Sequence, residues 1–259
     1  MMIETAIAGL LENYFDKIFV VSIERAKDRH IQVKKQLEGL SFDFFWGADK
    51  QLFDWEKIKK GHEVYDETTS KKHNRVGKAM NAGEVACALS HRKLYEHIVE
   101  QKYQRVLIFE DDIVPLTENL SQLPAVFNEL PDDWQLVYFG YSKHEKVTDA
   151  LKRKQFFYKL ISPLRLIKWS PVMVKNMLPQ YYSEHVKKAG YHDCTHAYAI
   201  TGETASHLIL KQKPIVFNAD TLLSDVILKG EIKAFVTNPQ FFVQEIHLNP
   251  QHLSIIHQQ

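Results

Sequence analysis

Residues 106–112 read Val106-Leu107-Ile108-Phe109-Glu110-Asp111-Asp112. Four apolar residues in a row, too few for a helix, predict a strand buried on both faces, as in a sheet covered by helices. The run then breaks into three carboxylates. In open α/β sheets ligands gather at that end of a strand, because the loops there are free to vary and helix N-termini point inward. Adjacent carboxylates repel one another unless a cation or a basic partner compensates. Carboxylate oxygens, joined by phosphate oxygens and waters, build the octahedral shell that suits Mg2+ or Mn2+. Along an extended chain Glu110 and Asp112 fall on one side and Asp111 on the other, so Asp112 and then Glu110 are the first candidates for metal ligands. A solvated strand end or a helix cap explains an isolated triplet equally well.

Upstream, Asn81 with Glu84 three residues on forms a capping box with Asn in place of Ser or Thr. It opens a helix predicted to reach about Gln101 and to feed the strand. Earlier still, Ile18-Phe19-Val20-Val21-Ser22-Ile23 is a first strand, followed by a charged helix from about Ala26 to Leu40 with Ile31, Val33 and Leu37 inside. Lys57 to Lys78 has little apolar periodicity and is predicted as a surface loop. Downstream, Leu136–Phe139 ending at Gly140, Ala197–Ile200 and the strand-like Ile215-Val216-Phe217 alternate with a helix from about Glu203 to Lys211. This alternation defines an α/β chain with a mainly parallel central sheet flanked by helices. One catalytic domain is expected over 17–259, preceded by a helical extension at 1–16. Within it, residues 141–195 turn basic and aromatic, and Pro163, Pro171 and Pro179 break any long helix, giving an irregular lobe.

The chain has 259 residues with 33 Lys and Arg against 32 Asp and Glu, a formal charge of +1. No global basic field exists for nucleic acid, which is excluded as a partner. Two cysteines, Cys87 and Cys194, are too few for a disulfide framework and lack zinc-site spacing, which points to a reducing cytoplasm. The N-terminal apolar residues are interrupted by Glu4 and Glu12 without a basic leader, so no signal peptide is expected. Their spacing suits a short amphipathic helix packed on its own body. No stretch approaches the ~18–20 apolar residues of a bilayer crossing. Lys152, Arg153, Lys154, Lys159, Arg165 and Lys168 interleave with Phe156, Phe157, Tyr158, Leu164, Ile167 and Trp169. That mixture suits an anionic membrane surface or a phosphorylated, lipid-linked acceptor, or a charged face over an ordinary core.

Three segments carry a resemblance: Lys17–Ile23 with Arg29, Gly83-Glu84-Val85-Ala86-Cys87-Ala88-Leu89-Ser90-His91, and Val106–Asp112. In this order they resemble glycosyltransferase family 25, which includes bacterial lipooligosaccharide galactosyltransferases and collagen galactosyltransferases. The similarity continues through Trp134–Gly140, His196–Thr201 and Asp220 to the Pro239 and Gln244 region, with Ser22 where an Asn is usual. The resemblance implies a GT-A type fold, a UDP-sugar donor, Mn2+ (or Mg2+) and inversion at the anomeric carbon. It further implies transfer of a hexose, galactose first, to a lipopolysaccharide or lipooligosaccharide core by a cytoplasmic enzyme peripheral to the inner membrane.

Inversion in one displacement needs a base opposite the leaving group. Asp220 matches the family position, and Asp225 is the runner-up; either could instead cap a helix. Ser22, Ser90, His91, Asp111 and His196 are expected around the donor, though a lone helical histidine is commonly a hydrogen-bonded core residue. Arg25 and Arg29 could pair with the diphosphate or simply face solvent. Thr201 could offer a helix N-terminus to phosphate or merely cap it. A nucleotidyltransferase would share the metal and carboxylates, but its Gly-rich phosphate loop is missing near the first strand. A non-catalytic sugar-binding relative is the other alternative, against which the retained Glu110, Asp112 and Asp220 speak.

Overall fold

The computed structural model describes residues 3–74 and 77–248. The first two residues of the 1–16 extension and residues 249–259 lie outside them. In chain order the elements are α1 (Thr5–Tyr14), β1 (Lys17–Ser22), α2 (Lys27–Gln36), β2 (Asp43–Trp46), α3 (Trp55–Gly61), α4 (Glu67–His73) and α5 (Ala82–Glu100). Then come β3 (Arg105–Glu110), β4 (Ile113–Pro115), α6 (Leu123–Glu129), β5 (Leu136–Ser142), α7 (Asp149–Ile161) and α8 (Pro171–Lys175). The chain continues through β6 (Gln180–Tyr181), β7 (Val186–Lys188), β8 (Asp193–Thr201), α9 (Gly202–Lys211), α10 (Ala219–Lys229), β9 (Ala234–Thr237), β10 (Phe242–Gln244) and α11 (Glu245–Leu248).

Eight strands form one sheet in the order β2-β1-β3-β8-β5-β9-β7-β6. β1 pairs in parallel with β2 and β3, and β5 with β9, whereas β3–β8, β8–β5, β9–β7 and β7–β6 are antiparallel. β8 and β7 therefore run against the remaining strands, which share one direction, and the α/β architecture stands. Alternation along β3 splits the core. Leu107 and Phe109 join Val20, Val137, Phe139 and α1 residues Ile7 and Leu11 on one face. Val106 and Ile108 join Tyr138, Tyr198, Leu94, Ile98 and α10 residues Leu222 and Val226 on the other. Each large side chain so buried contributes roughly 1.5–3 kcal/mol.

Asn81 and Glu84 make the reciprocal capping box that starts α5. Three expectations need correction. The segment 57–78 is not a plain loop: α3 and α4 form there because Asp54 and Asp66 cap them, accepting from Lys57 N at 3.1 Å and Thr69 N at 3.0 Å. On α2, Ile31 faces solvent while His30 and Val33 are buried. Ile215–Phe217 is not a strand and makes only an isolated bridge from Ile215 to Tyr65. The buried Gln212 side chain takes over its backbone groups, with Oε1 accepting from Val216 N and Phe217 N at 3.2 Å and Nε2 donating to Phe217 O at 2.8 Å. Satisfied that way, the segment has no need of a sheet partner.

Candidate active site

β1, β3 and β8 bring their site-bearing ends to one edge of the sheet, because the antiparallel β8 delivers its start where β1 and β3 finish. Glu110 ends β3 beside Val21. Asp111 and Asp112 form the turn into β4, and β4 pairs with β10 so that Gln244 lies opposite Ile113. The Gln244 amide nitrogen is 3.4 Å from Glu110 Oε2 and 3.5 Å from Asp112 Oδ2, so these two carboxylates share one side. Asp111 turns the other way. Its Oδ2 accepts from Ser22 Oγ at 2.5 Å and its Oδ1 from Arg29 Nη1 at 2.6 Å. His30 Nε2 stands 3.0 Å from Ser22 Oγ and braces that hydroxyl.

The charges of the three acids divide accordingly. Burial pushes Glu110 up, but His91 and the Thr195 hydroxyl outweigh it and hold its carboxyl below the usual range. Burial and the nearby Glu110 push Asp112 up to about 7, although the Arg29 guanidinium at 3.9 Å opposes this. Asp112 Oδ1 is buried and has no hydrogen-bond partner among the described residues. An orphaned carboxylate oxygen beside a second carboxylate is a donor set short of positive charge. All-oxygen ligands of this kind fit Mn2+ or Mg2+.

A pocket of about 110 Å³ opens over the cluster, lined by Ser22, Arg25, Arg29, Cys87, Ser90 and His91 with the three acids. Ser90 holds its wall. Its Oγ accepts from Ala48 N at 2.9 Å and donates to Ala86 O at 2.7 Å, and a Cβ on Gly47 would collide with it. The loop so fixed carries Asp49, which grips Arg25 Nε at 2.6 Å. His91 is buried on α5 with Nδ1 2.7 Å from the Tyr198 hydroxyl. His196 packs at the start of β8 against Gly140, where a Cβ would overlap its ring.

Asp220 lies in the first turn of α10. Its Oδ1 accepts from Thr221 N at 2.7 Å and its Oδ2 from Cys194 N at 3.5 Å. Burial, then Asp193 and Glu110, raise its pKa. Cys194 adopts φ 74°, a left-handed backbone that costs a non-glycine residue about 1–3 kcal/mol and tends to persist at functional sites.

Two expected site residues do not join the cluster. Asp225 points from the same helix into a separate cleft of about 330 Å³ and is paired with Lys229 at 2.6 Å. Thr201 sits at the opposite edge, because β8 runs antiparallel to β3 and pairs Thr201 with Arg105, the first residue of β3. Five residues of strand span about 17 Å. There Thr201 caps α9, its Oγ1 accepting from Thr204 N at 3.2 Å. Sequence reasoning missed Thr195, Cys194, Asp193 and Gln244 as site residues. Only Gln244 had a signal, as a polar residue ending the apolar run Phe241-Phe242-Val243.

A family model for glycosyltransferases matches residues 15–223. The chain belongs to that family, glycosyltransferase family 25 (LPS biosynthesis protein). A candidate glycosyltransferase of Haemophilus influenzae is 26% identical over 249 residues, covering 93% of this chain and 74% of its own length. A glycosyltransferase 25 family member of Anopheles gambiae is 27% identical over 200 residues, covering 75% of this chain but 28% of its own. Procollagen galactosyltransferase 2 of Homo sapiens is 21% identical over 131 residues, 49% of this chain and 21% of its own. The chain thus spans less than a third of the length of these animal relatives.

Proposed function

We propose that this chain is a metal-dependent, inverting glycosyltransferase of GT-A type that moves a hexose, galactose, from a UDP-sugar to a lipid-linked oligosaccharide of the lipopolysaccharide or lipooligosaccharide core. The family description names LPS biosynthesis, and a matched human relative is named a galactosyltransferase. The observation that carries the proposal is the buried Asp112 Oδ1, without a partner among the described residues, beside Glu110 at the foot of the pocket.

Glu110 and Asp112 would hold Mn2+ or Mg2+, which when bound supplies the positive charge that stabilises the departing diphosphate. Asp111 holds Arg29, and the Arg29 and Arg25 guanidiniums line the pocket where diphosphate oxygens would enter. Asp220 accepts the proton of the acceptor hydroxyl as the glycosidic bond forms; its raised pKa moves it toward the working pH of a general base. The membrane side of the proposal rests on α7, where Phe156 and Phe157 are 66% and 56% exposed, with Leu160, Leu164 and Leu166 exposed nearby. Lys152, Arg153, Lys159 and Arg165 among them suit an anionic leaflet. Among the described residues, no helix is long and apolar enough to cross a membrane.

Asp112→Asn tests the metal assignment. The variant should keep its fold and lose Mn2+-dependent UDP binding in calorimetry. Unchanged Mn2+ dependence removes Asp112 from the site.

A further inference from the structure

Cys87 and His91 are four residues apart on α5, so their side chains leave one face of the helix. Glu110 meets them from the end of β3. Cys87 Sγ, a His91 ring nitrogen and a Glu110 carboxylate oxygen all lie within 4.8 Å of one another. His91 is 1% exposed, and its Nε2 makes no hydrogen bond among the described residues, its carboxylate neighbour Glu110 Oε1 standing 3.6 Å away. On the far side of the ring, Nδ1 is 2.7 Å from the Tyr198 hydroxyl, which is 2.9 Å from that of Tyr95. This hydroxyl chain can accept the Nδ1 proton, so that a cation binding between Cys87 and Glu110 can take the Nε2 lone pair. A fixed second nitrogen of this kind is what orients metal-ligating histidines.

We infer that Cys87, His91 and Glu110 form a binding site for a thiophilic divalent cation of the Zn2+ type. The site shares Glu110 with the harder Glu110 and Asp112 pair but differs from it in preference. One thiolate, one imidazole and one carboxylate select Zn2+ or Co2+ over Mn2+ and Mg2+. Bonds of about 2.0–2.3 Å place tetrahedral ligand atoms roughly 3.5 Å apart, a closure that requires the Cys87 and Glu110 side chains to rotate inward on binding. Three protein ligands leave a fourth position, open to the pocket all three residues line. Binding exchanges cations without moving electrons: the Cys87 thiol gives its proton to solvent as the sulfur–metal bond forms. Because Glu110 cannot serve both ions, Zn2+ would expel the hard metal and block transfer. That consequence, though not the site itself, rests on the proposed metal role of Glu110 and Asp112.

The test is a Co2+ titration of the full chain, reduced and free of sugar nucleotide. A thiolate-to-cobalt charge-transfer band should appear, be erased by stoichiometric Zn2+ and survive excess Mn2+. Cys87→Ser should lose the band and bind Zn2+ about a hundredfold more weakly, the upper end of what removing even an outer-shell partner costs. Should that variant fail to fold, alkylation of the parent followed by mass spectrometry replaces it, with Zn2+ expected to protect Cys87. A Co2+ complex without the band, equal Zn2+ affinity in Cys87→Ser, or alkylation of Cys87 at one rate with and without Zn2+ overturns the site. Mn2+-dependent UDP binding, measured separately, would fail on its own if the proposed transferase reading is wrong, leaving the Co2+ result standing.

Discussion

Asp111 and Asp112 are neighbours with the same side chain, yet Arg29 and Ser22 neutralise and hold the first while the second is pushed up to about 7 by burial and Glu110. The same contrast separates Asp220 from Asp225. Asp220 is held by two backbone N–H groups and lies close enough to Glu110 and Asp193 to feel both charges. Asp225 already has Lys229 as its counter-ion, in another cleft. Asp220→Asn should therefore leave donor and Mn2+ affinity nearly unchanged and lower turnover on the acceptor by about a hundredfold or more, the scale of a lost general base. Asp225→Asn should retain near-normal turnover. Steady-state kinetics on both variants decides, and the reverse ranking would make Asp225 the base.

At the scale of elements, the direction of β8 does most to assemble the site. Running antiparallel between β3 and β5, it presents Asp193, Cys194 and Thr195 to the acid cluster and carries Thr201 away. α7 poses the opposite question, for none of its residues is buried and its phenylalanines face solvent. It is anchored from one side, as when Gln155 Nε2 donates to Val174 O at 2.9 Å. Exposed aromatics framed by cations predict binding to anionic vesicles. Replacing Lys152, Arg153 and Lys159 with Gln should reduce cosedimentation with phosphatidylserine-containing vesicles, as should added salt. Salt-independent sedimentation, or none by the parent, removes the membrane from the proposal.

For the whole molecule, a buried histidine outside the acid triplet is expected to contribute to acid stability. His192 is fully buried among Tyr138, Tyr141 and the start of β8. Its Nδ1 meets Lys143 O at 2.9 Å and its Nε2 accepts from Gly190 N at 3.2 Å, so the neutral ring is satisfied and has no place for a second proton. Burial lowers its pKa to about 4, with His144 and Lys187 adding to the effect and Lys143 O and Asp193 opposing it. The unfolded chain binds this proton near pH 6.5. Between those values the unfolded state holds more protons, so the stabilisation is complete above about pH 6.5 and is lost as pH falls toward 4. Its size is about 3–4 kcal/mol at most, from roughly 1.4 kcal/mol per pH unit. Urea melts from pH 7 to pH 4 should show a shallower slope in His192→Asn than in the parent. Equal slopes would mean that another group controls acid unfolding.

The strands at 106–110 and 136–140, the Asn81 cap and the acid triplet were legible in the sequence, because apolar runs, capping residues and adjacent carboxylates are local signals with local causes. The split of Glu110 and Asp112 from Asp111 agrees with the alternation expected of an extended chain, although Asp111 and Asp112 stand in a turn and tertiary partners, Gln244 on one side and Arg29 with Ser22 on the other, hold it. Strand direction was not legible. No residue in Asp193–Thr201 announces that this strand runs backwards, and that choice alone put Thr195 beside Glu110 and Thr201 at the far edge. Nor could the sequence show that Gln212 would replace a sheet partner for Val216 and Phe217, or that Cys87 and His91 would meet a carboxylate from another element. Those outcomes depend on which segments far apart in the chain become neighbours, which the packing of the two sheet faces settles.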